Sequence, residues 1–136
     1  MAGHGNGFVD VFNTNGTLAK RFASRGELNS PWGLAPAPAG FGRFSNDVLV
    51  GDFGDGRINA YGPDGDFHGQ LKNEDHHDLT ISGLWGLRFG NGVENSGDAK
   101  TLYFTAGLNA EKDGLFGSLT PMVCKHGPAH DDDDDC

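Results

Sequence analysis

Cysteine, basic charge and long apolar runs are all scarce in this sequence. Only two cysteines occur, Cys124 and Cys136, both near the end. Two cysteines say little about the redox compartment. Joined, they would close one small loop, worth roughly 3 kcal/mol in a chain-entropy estimate and affecting little of the fold. Lys and Arg number 10 against 19 acids, for a net charge of −9. Five of those acids are the run Asp131 to Asp135, and without it 14 acids face 10 bases, a balance of −4. A nucleic-acid binder needs a basic footprint, and so does adhesion to an anionic membrane surface. Both are disfavoured. No apolar run approaches 18 residues, so no membrane span is expected. The N-terminus has neither a basic region nor an apolar stretch, so it does not read as a signal peptide. Proline is not raised, and there is no Gly-X-Y period, which excludes collagen.

Glycine is abundant instead. It makes up 23 of 136 residues, about 17%, against a usual value of roughly 7%. Ten Phe, two Trp and two Tyr argue against low-complexity disorder over most of the chain. Glycine beside short apolar runs fits an all-β protein with many tight turns.

The richest stretch runs from Pro31 to Leu71. Strands are expected near Trp32 to Ala35, Val48 to Val50, Arg57 to Tyr61 and Asp66 to Leu71. Between them lie turn residues, including Asp55-Gly56 and Pro63-Asp64-Gly65. Val48-Leu49-Val50 is continuous in apolar character, as in a strand buried on both faces. Four such strands make one antiparallel sheet, the unit of a β-propeller blade. Before it, Gly7 to Phe12 and Thr17 to Phe22 flank Asn13-Thr14-Asn15-Gly16, a hairpin signal. After it, Gly83 to Gly90, Thr101 to Gly107 and Gly114 to Leu119 repeat the pattern.

Trp32 and Trp85 are 53 residues apart, and so are Leu49 and Leu102. Val9 and Ile58 are 49 apart, as are Phe12 and Tyr61. A period near 50 suits propeller blades, which run about 40 to 50 residues. The expected fold is all-β, a partial β-propeller of about two blades of four-stranded antiparallel sheet. Residues 1–6 form a loose N-terminus. Residues 7–121 hold the blades: a half blade at 7–22, a full one at 31–72 and a partial one at 83–120. Residues 122–136 form an acidic tail rich in His, Cys and Asp.

Two motifs carry a family resemblance. Asp52-Phe53-Gly54-Asp55-Gly56-Arg57-Ile58 and the Pro31-Trp32-Gly33-Leu34 opening resemble segments of NHL-type propeller repeats. From Gly7 to Leu119 the chain resembles the C-terminal portion of a family of uncharacterised bacterial propeller proteins. That resemblance implies a secreted or cell-surface propeller of about six blades with no assigned activity.

Candidate sites are few. Asp52 and Asp55, amid Gly51, Gly54 and Gly56, offer oxygens for a Ca²⁺ loop, although the spacing is not that of an EF-hand. The alternative is that Asp55-Gly56 is a hairpin turn and Asp52 caps backbone amides. Asn109, Glu111 and Asp113 form the matching loop of the next repeat. His76-His77 lies in a polar loop and lacks the further ligands of a zinc site. Cys124, His126, His130 and Cys136, with Asp131 to Asp135, could hold a transition metal weakly. The alternative is a solvated acidic tail that self-repels and aids solubility. No cofactor is firmly implied. Trp32 and Trp85 suit either stacking on a flat ligand or packing between repeats.

Two function classes remain. The first is a non-catalytic binding or scaffold propeller, whose binding residues would lie in its loops. The alternative is a metal-dependent hydrolase or lactonase of the six-bladed type. Two blades leave an apolar face at each end. A fragment of a larger propeller, or self-association, is therefore expected, and three copies of two blades would close a six-bladed ring.

Overall fold

The computed structural model describes residues 2–122. Among the described residues nine strands are present: β1 Phe8–Phe12, β2 Leu18–Ser24, β3 Pro31–Pro36, β4 Val48–Asp52, β5 Ile58–Tyr61, β6 Phe67–Gln70, β7 Leu84–Phe89, β8 Leu102–Gly107 and β9 Asp113–Leu119. They form three antiparallel sheets with neighbours in chain order: β1-β2, then β3-β4-β5-β6, then β7-β8-β9. Among the described residues, only the second sheet has four strands. The described residues are thus all-β, with helix among them confined to a 3₁₀ turn at Gly42–Phe44 and a four-residue turn at Leu108–Glu111. No helix of the described residues is long and apolar enough to cross a membrane.

Proline marks both ends of β3. β3 is an edge strand of its sheet, so neither missing N–H breaks an interior ladder. β4 shows why its apolar run is continuous. Leu49 and Val50 are both fully buried. Leu49 joins a core between the second and third sheets, with Ile58, Ala60, Leu84, Leu87 and Leu102. Val50 joins the other, between the first and second sheets, with Val9, Ala23, Leu28 and Tyr61. Alternate side chains of one strand therefore serve two sheet-on-sheet contacts. Fully burying each leucine stabilises by roughly 1.5–3 kcal/mol.

The ladders refine the repeat. Leu49 lies opposite Ala35, and Tyr103 lies opposite Arg88. Ala35 and Arg88 each stand two residues after the glycine of a Trp-Gly-Leu segment. Leu49 therefore corresponds to Tyr103, not to Leu102 as the spacing of 53 suggested. Leu102 takes the place of Val48. The connection from β7 to β8 is one residue longer than that from β3 to β4, and an exposed connection absorbs such an insertion readily. The 49-residue offset of the first sheet holds: Phe12 pairs with Leu18 as Tyr61 pairs with Phe67.

The second and third sheets meet most closely where β3 approaches β7. A Cβ on Gly33 would lie 2.6 Å from the backbone carbonyl oxygen of Trp85 and 3.1 Å from the backbone nitrogen of Leu87. Backbone cannot yield as a side-chain tip can, so a methyl group here forces the sheets apart. Gly33→Ala is expected to cost about 1–3 kcal/mol in urea unfolding. Gly114→Ala, where an added Cβ meets nothing within 4 Å, serves as control and is expected to change stability by less than about 0.5 kcal/mol. Equal stability of the two variants would refute the close crossing.

Candidate functional site

Both tryptophans sit where a ladder slips. Pro31 pairs with Asp52 but Gly33 with Gly51, so Trp32 is the extra residue of a bulge. Leu84 pairs with Ala106 but Leu87 with Phe104, which leaves Trp85 and Gly86 in an equivalent slip. The bulges aim the two rings at each other across the contact between the sheets. Their centroids are 4.7 Å apart at 82°, an edge-to-face pair. Phe53, just beyond β4, lies 4.5 Å from Trp85 at 35°. Trp32 nevertheless stays 66% exposed. Packing between repeats thus accounts for part of the pair and leaves one indole open to solvent.

Beside Trp85 lies the turn Leu108–Glu111. A Cβ on Gly107 would come within 3.3 Å of the Trp85 indole Nε1 and 3.1 Å of Glu111 Cγ. Asn109 (φ 53°), Ala110 (φ 55°) and Glu111 (φ 67°) are all left-handed. Such a conformation costs roughly 1–2 kcal/mol per residue. Asn109 tolerates it best and is held by its Nδ2, which donates to Asp113 Oδ2 at 2.5 Å. Sequence reading placed Asn109, Glu111 and Asp113 in this loop but gave no sign of the strain, because alanine and glutamate do not signal a left-handed turn.

Asp52 is fully buried. Asn59 Nδ2 donates to its Oδ2 at 2.8 Å and to the Glu27 carbonyl at 3.3 Å, while Gln70 Nε2 donates to Asn59 Oδ1 at 2.8 Å. Asp52 Oδ1 is buried without a hydrogen-bond partner. The network ties the 25–30 connection to the second sheet. Burial pushes the Asp52 carboxyl up to about 7, against the pull of the Asn29 backbone N–H and the Asn59 amide; the nearby Asp55 and Glu27 charges push it further up. A neutral acid is the cheaper occupant of such a site. Tyr61 is pushed up to about 12, first by burial and then by the Asp52 and Glu27 charges.

Asp55 does what a turn residue does. Its Oδ1 accepts the Arg57 N–H at 3.0 Å, and Gly56 follows at φ 73°. Gly56 also packs against Ile81, whose N–H donates to its carbonyl at 2.8 Å. Asp52 and Asp55 are electrostatic neighbours, but each is engaged separately. His76 and His77 are exposed on a turn built on Asn73, whose carbonyl accepts the His76 N–H and whose Oδ1 accepts the His77 N–H. Among the described residues, no three or more His, Cys, Asp or Glu side chains are grouped to hold a metal ion. Cys124, His126, His130 and Cys136 lie outside the described residues.

One pairing was missed in the sequence. His68 Nδ1 lies 2.9 Å from Oδ2 of the buried Asp47. Twenty-one residues separate them. They meet because Val48 pairs with Tyr61 and Tyr61 with Phe67, which becomes visible only once the register is known.

No protein-family model matches the chain. It is similar to three uncharacterised proteins of Acanthamoeba polyphaga mimivirus. One is 39% identical over 119 residues, covering 88% of this chain and 28% of the relative. A second is 41% identical over 115 residues, covering 85% and 29%. A third is 36% identical over 107 residues, covering 79% and 19%. The chain spans less than a third of the length of these relatives. They are viral, which overturns the resemblance to a bacterial NHL-like family, and the export implied by that resemblance loses its basis. The shared motifs are short strand-and-turn signals that any repeated antiparallel sheet can carry, so they mark an architecture more than a lineage.

The Asp52 site makes stability depend on pH. Its folded-state value lies above the ordinary 3.8, so the fold favours the protonated form. That contribution is complete below pH 3.8 and is lost as pH rises through about 7. The expected slope is up to about 1.4 kcal/mol per pH unit within this window. Asp78 is shifted the other way, chiefly by the hydrogen bond from Lys72, and its contribution is lost only as pH falls below the ordinary range. Urea midpoints measured from pH 4 to 8 are expected to fall for the wild type and to stay level for Asp52→Asn. A parallel fall in both would place the titrating group elsewhere. Separately, Ala110→Gly is expected to raise stability by roughly 1 kcal/mol, read as a higher thermal midpoint.

Proposed function

We propose that the chain is a non-catalytic binding module, a partial β-propeller whose stacked sheets hold an aromatic platform for a flat-faced ligand such as a sugar ring or a nucleobase. The observation that carries this reading is Trp32, 66% exposed yet fixed edge-on against Trp85. An indole is large and apolar, and leaving it in water forgoes burial worth a few kcal/mol. A ring stacked on its free face recovers part of that. The bulge, the neighbouring strand and the turn at Leu108–Glu111 hold the platform in place before any ligand arrives, which lowers the ordering cost of binding. Glu111, exposed on that turn, supplies an acceptor near the rim.

A metal-dependent hydrolase of the six-bladed type draws less support. Its acid candidate, Asp52, is closed off from solvent and engaged by Asn59. A buried, hydrogen-bonded carboxyl serves the fold and does not reach a substrate.

The test is a fluorescence titration of the purified chain with two panels, oligosaccharides and nucleosides. A saturable change in tryptophan emission with one panel, lost in Trp32→Ala and kept in Phe67→Ala, is the expected result. Phe67 is also exposed but lies on the far edge of the second sheet. No saturable change with either panel would sink the platform reading.

A further inference from the structure

The two end faces of the stack are built like its internal junctions. Consider first the junction inside the chain. The second sheet turns Leu49 and Ile58, both fully buried, toward the third sheet. In the third sheet the corresponding positions are Tyr103 and Phe116. Ile58 lies opposite Gly51, and Phe116 lies opposite Thr105, each two residues beyond the Leu49 or Tyr103 position. Phe116 is 69% exposed. It stacks on Tyr103 with centroids 5.6 Å apart at 12°. Large apolar side chains thus occupy the places that the preceding sheet uses to seat its neighbour, and a groove of about 470 Å³ opens beside them.

The first sheet shows the complementary half. Tyr61 of the second sheet faces back and packs edge-to-face on Phe22 of the first, at 6.0 Å. The matching residue of the first sheet is Phe12, opposite Leu18. Phe12 is 59% exposed and Leu18 57%. Among the described residues, an open forward face therefore lies at one end of the stack and an open backward face at the other.

We propose that the outer face of β7-β8-β9, centred on Tyr103 and Phe116, seats the exposed face of β1-β2, centred on Phe12 and Leu18, of a second copy of this chain. The junction is head to tail. It continues the one already formed between the first and second sheets and between the second and third. Both halves belong to the same sequence, which selects a second copy over an unrelated partner. A heterologous contact of this kind either closes into a ring or grows as a filament.

The test uses two variants of the full chain, Phe116→Asp and Phe12→Asp. Both residues are largely exposed, so native far-UV circular dichroism is expected, and Phe→Ser replaces either variant that lacks it. Light scattering over a concentration series is expected to show association of the wild type. Each variant alone should be monomeric, with affinity reduced about tenfold or more. The two variants mixed should form a one-to-one complex, because each retains the face that the other lacks. A wild type that stays monomeric at every concentration overturns the proposal. So does either variant that associates alone as the wild type does, and so does a mixture of the two that remains monomeric.

Discussion

Where β3 crosses β7, the carbonyl oxygen of Trp85 occupies the space that a side chain on Gly33 would need. That approach sets the spacing of the two sheets, and the core between them follows from it. Gly51 repeats the arrangement one strand further on, where an added Cβ would come within 3.1 Å of Leu84 and Leu87. Removing side chains at these two positions lets Leu84 and Leu87 reach the second sheet. Larger residues would hold the sheets apart and leave voids that apolar side chains cannot fill without strain. Glycine here is a packing device, and its backbone is not left-handed at either position.

A consequence of stacking is that every sheet has two apolar faces and needs two neighbours. Leu34 and Leu87 measure this directly. Both are the leucine of a Trp-Gly-Leu segment, and both face the preceding sheet. Leu87 is 8% exposed because the sheet before it has all four strands. Leu34 is 52% exposed because the sheet before it has two. Identical residues in identical local structure differ in burial through their neighbour alone. Hydrophobic burial is a property of the stack more than of the segment.

Much of the strand pattern was legible in the sequence, and for a physical reason. Turns such as Asn13-Thr14-Asn15-Gly16 and Pro63-Asp64-Gly65 declare themselves through residues that tolerate or pre-set turn dihedrals. Val48-Leu49-Val50 declared burial on both faces through its unbroken apolar character. What could not be read was anything set by one residue of register. The longer β7–β8 connection moved Leu102 to the opposite face from Leu49, although the spacing made them look equivalent, because a slip of one reverses the faces of a strand. Asp52 likewise reads as a calcium-loop ligand or a cap on backbone amides amid glycines. It is buried because the 25–30 connection folds over it, a contact that only tertiary structure specifies. The left-handed run at Asn109 to Glu111 had no signal beyond its asparagine. The resemblance to a bacterial family failed for a related reason, since strand-and-turn motifs report architecture shared by unrelated chains.

The aromatic platform and the buried carboxyl illustrate opposite uses of the same strand ends. Asp52 closes β4 on the side facing the first sheet, where Asn59 meets one oxygen and burial favours the neutral acid. Phe53 follows it at once and sits against Trp85. One step along the chain therefore passes from a polar residue sealed inside to an aromatic one at the edge of an exposed cluster. Alternation along an extended backbone makes such a change inevitable, but it does not require the outer residue to meet two tryptophans. The bulges at Trp32 and Trp85 do that, by turning each indole out of the regular pleat. Two bulges in two sheets, aligned across one close crossing, are more than the stacking itself needs: Leu49, Ile58 and Leu84 already fill the core without them. The surplus is an indole fixed in position and open to solvent. That is the physical ground for proposing recognition there and not at Asp52.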